Sequence, residues 1–65
     1  MTPADLRAAL ATLRWSNRTL AAELGVDEHR VRRWANGSQP IPEDVAVWLA
    51  ALAAAHEGLA IWPAA

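Results

Sequence analysis

Apolar residues recur along the chain in short helical periods separated by polar punctuation. Leu6, Leu10 and Leu13 fall at i, i+4, i+7, which places three side chains on one face of a first helix. Thr2-Pro3-Ala4-Asp5 marks its start: Thr2 as N-cap, Pro3 at the first helical position and Asp5 in the first turn. A second apolar set, Leu20, Leu24, Val26, Val31 and Trp34, is interrupted by Gly25. Gly25 supplies the positive φ that ends a helix, and Ser16 and Asp27 are good caps, so residues 17–36 (NRTLAAELGVDEHRVRRWAN) predict two short helices. One runs to about Leu24 and the other to about Ala35, with Ala21 as a small residue and Asn36-Gly37 closing the pair. Two steeply crossing helices need a shared apolar wedge of this kind.

Residues 38–42 read as a loop, with Pro42 pre-setting the first turn of another helix and Glu43 and Asp44 at its N-terminus. Val45, Trp48, Leu49 and Leu52 form the stripe of that helix, continued loosely by Ala55, His56 and Leu59, and Gly58 is expected to stop it. The last residues, 59–65, are apolar without period. Strand signals are missing: there is no Tyr or Phe and no alternating β-branched run. The expectation is one all-α domain of four or five helices over residues 1–65.

Composition adds constraints to that outline. A chain of 65 residues buries only about 60% of its extended surface, and without Cys it has neither a disulfide nor a thiolate metal site. Its 54% apolar content, much of it Ala, is left to hold the fold, helped by self-association. Charged residues interrupt every candidate 18-residue apolar span, and residues 1–5 lack the basic start of a signal peptide, so a cytoplasmic location is expected.

The net charge of −1 is unevenly spread. Residues 14–36 carry five arginines against three carboxylates, net +2, and the remainder is net −3. Local field decides where a polyanion docks. On the second helix of the pair, His29, Arg32, Arg33 and Asn36 face away from the wedge, which suits a nucleic-acid groove better than a core.

The segments LAAELGV and VRRWANG, followed by Pro40-Ile41-Pro42 leading into another helix, resemble the phage Cro/repressor-like (XRE) family. The resemblance extends from the first helix through Trp48 and Leu52. It implies a lambda-repressor-like fold with a helix-turn-helix, major-groove recognition of duplex DNA and no enzymatic activity. It also implies that the residue opening the second helix, Asn17, contacts phosphate; Gln is commoner there, and Asn reaches less far. Glu28, His29, Arg32 and Arg33 map to base-contacting positions, and Asn36 to a phosphate contact.

Chemistry agrees with that mapping. A guanidinium fork matches the O6 and N7 acceptors of guanine, which suits Arg32 and Arg33. Glu28, four residues before Arg32, can orient that guanidinium, accept from a cytosine amino group, or form a plain surface ion pair. His29 can donate to a base or a phosphate, or be an inert surface residue. Arg18 and Arg30 suit phosphates. No metal is expected, since His29 and His56 lie on different helices without Cys or close acidic partners. No nucleophile-base-orienter set is visible, and no cofactor or small-molecule ligand is implied. Trp15 and Trp62 are the two tryptophans outside the apolar stripes, and stacking on single strands is the lesser alternative for them.

The sequence therefore leads to a dimeric transcriptional regulator, most simply a repressor of a phage or mobile-element operon, acting on an inverted-repeat operator. Leu59, Ile61 and Trp62 are the expected dimerisation residues, and folding of the tail onto its own first helix is the alternative. A protein-interaction module, such as an antitoxin or antirepressor that keeps the helix-turn-helix core, is the competing class. Three outward arginines on one helix argue against it.

Overall fold

The computed structural model describes residues 1–60. Four helices make up this part: α1 (Pro3–Leu13), α2 (Asn17–Leu24), α3 (Glu28–Asn36) and α4 (Glu43–Ala60). The all-α expectation holds, with four helices among the described residues.

Each boundary has a local cause. Thr2 Oγ1 accepts the Asp5 N–H at 3.0 Å while Asp5 Oδ2 accepts the Thr2 N–H at 3.0 Å. This capping box satisfies two backbone donors at the start of α1. Those bonds, the backbone one first, hold the Asp5 carboxyl below the usual carboxylate range. Ser16 Oγ accepts the Thr19 N–H at 3.1 Å to open α2, and Asp27 Oδ1 accepts the His29 N–H at 2.7 Å to open α3. Gly25 (φ 69°) and Gly37 (φ 84°) end α2 and α3 in the left-handed region.

The end of α1 is different. Arg14 takes up φ 59°, and the Trp15 N–H reaches back to the Leu10 carbonyl at 2.9 Å. The left-handed cap is here carried by a residue with a Cβ. At α4 the first intrahelical bond runs from the Ala46 N–H to the Pro42 carbonyl at 2.9 Å, so Pro42 stands one position ahead of the helix.

The core gathers Leu6, Ala9, Leu10 and Leu13 of α1, Leu20 and Ala21 of α2, Val31 and Trp34 of α3, and Leu49 and Ala53 of α4. Leu6, Leu20, Val31 and Leu49 are fully buried. Leu24 and Val26 pack against this core while remaining half-buried. α1 lies centrally, packed on both α3 and α4, and α2 packs on α3. The residues expected to form the wedge of the α2–α3 pair therefore meet in one place.

Two expectations for α4 are corrected. Trp48 does not share the buried stripe: it is 40% exposed and lies against Trp15, ring centroids 6.2 Å apart at 41°. Val45, Leu49, Leu52 and Ala53, at i, i+4, i+7, i+8, define the inward face, and Trp48 sits about 100° around the helix from Leu49. Gly58 does not stop α4, which continues to Ala60. An interior glycine costs only about 1 kcal/mol relative to alanine and breaks a helix only where the backbone turns left-handed. No helix among the described residues is long and apolar enough to cross a membrane.

Candidate nucleic-acid interface

α3 divides sharply between inward and outward residues. Val31 and Trp34, three apart, are buried against α1 and α2, while His29, Arg30, Arg32, Arg33 and Asn36 are exposed. Glu28, at the start of the helix, is half-buried. The turn at residues 25–27 aims this helix, because Gly25 reverses the chain and Asp27 caps it within two residues.

The outward side chains are organised by neighbours. Arg32 Nη2 donates to Glu28 Oε2 at 2.8 Å, one helical turn away, with its side chain 57% exposed. On the other oxygen, Arg18 Nε of α2 lies 3.5 Å from Glu28 Oε1 with the arginine side chain 85% exposed. One carboxylate thus joins two guanidinium groups from two helices. The Arg32 hydrogen bond, partly opposed by desolvation and aided by the Arg18 contact, holds the Glu28 carboxyl below its usual range. A depressed carboxylate pKa stabilises the fold at neutral pH, and that contribution is lost as pH falls through the lowered value. At this exposure it is small.

At the other end of α3, Arg33 Nε donates to Gln39 Oε1 of the following loop at 3.3 Å. Asn36 Oδ1 accepts from both the backbone N–H (2.9 Å) and the hydroxyl of Ser38. Its amide NH₂ therefore remains as a neutral donor at the helix terminus. Arg7 of α1 donates from Nη1 to the Ala35 carbonyl at 2.6 Å, placing a cation at the negative end of α3. Neither Arg7 nor Gln39 was expected from sequence. Arg7 is 28 residues away, and its sole sequence signal is being a charged, outward position on the first helix. Gln39 lies in the loop of residues 38–42 and carries no sequence signal of this contact.

Asn17, half-buried, opens α2 directly after the Ser16 cap, where backbone N–H groups lack intrahelical acceptors. Arg30 has no ion-pair partner among the described residues. Arg18, Glu28 and Arg32 are brought together, whereas Arg33 and Asn36 are tied into the loop after α3. The expected dimerisation residues lie outside the described part: this applies to the Leu59 side chain and to Ile61 and Trp62. No group of three metal-ligating side chains occurs among the described residues.

The arrangement is an exposed helix surface rich in cationic and amide donors. Such a surface can engage a groove lined by acceptors. No family model, curated protein or solved structure matches the chain.

Proposed function

We propose that the protein is a sequence-specific duplex-DNA-binding regulator, most simply a repressor, of the Cro/repressor-like type. The observation carrying this reading is the division of α3: two residues seat it in the core, and its exposed side bears His29, Arg30, Arg32 and Arg33. Arg32 and Arg33 have the chemistry to read guanine in the major groove, with His29 and Glu28 beside them. Asn17, Arg18, Arg30 and Asn36 then hold phosphates and set the register of the helix. The experiment is selection from a randomised duplex pool by the full chain. Enrichment of one sequence, with a preference over scrambled duplex that persists as salt rises, supports the proposal. Recovery of the pool unchanged overturns it and leaves the protein-interaction class.

The phosphate assignment makes a separate expectation. Each cation that neutralises a phosphate contributes about 0.9 to the log–log salt slope of B-DNA binding. Arg18→Ala and Arg30→Ala should each flatten that slope by about one, while Asn17→Ala and Asn36→Ala should lower affinity with little change in slope. Unchanged slopes in both arginine variants would remove those residues from the interface.

A second copy of the chain completes the proposal. One domain of this size reads few base pairs, and two-fold symmetry doubles the site. α4 offers a surface for it: residues 45–55 include no charged side chain, and Val47 (65% exposed), Ala50, Ala51 and Ala54 share one exposed side. Antiparallel pairing about a point between Ala50 and Ala51 sets Val47 opposite the partner's Ala54, large against small, as a self-complementary interface requires. Leu59, Ile61 and Trp62, the dimerisation residues expected from the sequence, lie outside the described side chains, and this face of α4 is proposed without them. The operator is then an inverted repeat with half-sites about 34 Å apart. Sedimentation should show a dimer that Val47→Glu converts to a folded monomer. A wild-type monomer at tens of micromolar, free and on DNA, would defeat the dimer.

A further inference from the structure

We propose that Glu28 is a specificity-determining residue that acts through Arg32 and Arg18, suppressing sequence-independent binding; the inference rests on the duplex-recognition reading above. Glu28 stands first in α3, and its two carboxylate oxygens are shared between Arg32 Nη2 at 2.8 Å and Arg18 Nε at 3.5 Å. Off DNA, one anion therefore engages two of the cations on this face. Phosphates that attract Arg18 and Arg32 must compete with that anion, and the anion is itself repelled by the phosphates. Non-specific binding derives almost wholly from such cation–phosphate attraction, so it bears this cost at every sequence.

A matching sequence escapes the cost. Arg32 gives Glu28 one of the two N–H groups on Nη2, leaving the other on the guanidinium edge that Nη2 shares with a neighbouring nitrogen. The guanidinium can therefore keep its carboxylate contact and still address the O6 and N7 of guanine. Glu28 in this state holds Arg32 in a fixed orientation, which favours a planar two-bond contact over a wandering single one. The carboxylate raises discrimination twice, by weakening the wrong complex and by orienting the reader in the right one.

The exchange Glu28→Gln removes the charge while keeping size and an acceptor. Affinity would be measured over a range of salt on the duplex selected from the randomised pool and on its scrambled counterpart, alongside thermal melts. Affinity for scrambled duplex should rise, and its log–log salt slope should steepen by about one as a cation is freed for phosphate. The ratio of selected to scrambled affinity should fall about tenfold, within the range of about 5- to 150-fold that one arginine–guanine pair supplies. Glu28→Asp, which keeps the charge on a shorter stem, should retain the shallow slope. A preference and slope unchanged in Glu28→Gln, against a wild type that does discriminate, would overturn this inference alone. Equal loss of affinity on both duplexes with a lowered melting temperature would also overturn it, leaving Glu28 a structural residue. A wild type without preference would remove the duplex-recognition reading itself, and this inference with it.

Discussion

Leu20→Ala is expected to lower the melting temperature by about 8 to 40 °C. Leu20 is fully buried where α2 meets the rest of the core, and the surrounding Leu6 and Val31 are equally inaccessible. Truncating a buried leucine to alanine costs about 2–5 kcal/mol through lost transfer energy and the cavity left behind. For a domain of 60–100 residues each kcal/mol moves the midpoint by about 4–8 °C. A chain of this size has only about 3–10 kcal/mol of total stability, so the upper end of the cost leaves little folded protein at 37 °C. Helical circular dichroism against temperature measures it, with the exposed Ala22→Ser as a control expected to stay within a few degrees. A shift in Leu20→Ala no larger than the control's would contradict the burial of α2.

The largest effect on recognition is expected at Arg33. It is exposed on the outward side of α3, with its Nε steadied by Gln39 at 3.3 Å and its two terminal nitrogens unengaged by hydrogen bonds among the described residues. A bidentate contact to guanine is worth about 1–3 kcal/mol of discrimination. Arg33→Ala should weaken binding to the selected duplex tenfold or more and affect scrambled duplex less. Competition binding at fixed salt separates the two quantities. Equal losses on both duplexes would make Arg33 a phosphate contact and transfer the reading role to Arg32.

The N-caps of the first three helices, the glycine C-caps of α2 and α3 and most of their buried positions, though not Ala9, are legible from the chain because each has a short-range cause. Thr2, Ser16 and Asp27 declare helix starts through their own oxygen atoms, and Gly25 and Gly37 declare ends through backbone conformations that glycine takes up without strain. Leu6, Leu20, Val31 and Trp34 declare themselves by period. What escaped the sequence depends on longer range or on weak local preference. Arg14 adopts a left-handed cap for which its identity gives no sign. In an alanine-rich helix such as α4 the inward face is poorly marked, so Trp48 looked central although it lies to one side on Trp15. Gly58 carried too small a penalty to end the helix. In the candidate site, the outward residues could be named from the helix period. Arg7 on the Ala35 carbonyl and Gln39 on Arg33 could not, because those contacts exist only once α1 and the loop are folded around α3.

The seating of α3 by Val31 and Trp34 has a consequence for how such a protein changes over generations. Because folding draws on two inward side chains, His29, Arg30, Arg32 and Arg33 are nearly free of it; surface substitutions away from special features shift stability by no more than about 0.5 kcal/mol. On the duplex-recognition proposal, mutations at these four positions would alter what is recognised while the scaffold survives the trial. Pressure on the core and pressure on the outward residues then act as almost separate selections upon one nine-residue helix. A lineage can drift to new targets without passing through unfolded intermediates, and the same independence makes α3 a cassette whose outward letters can be rewritten by design.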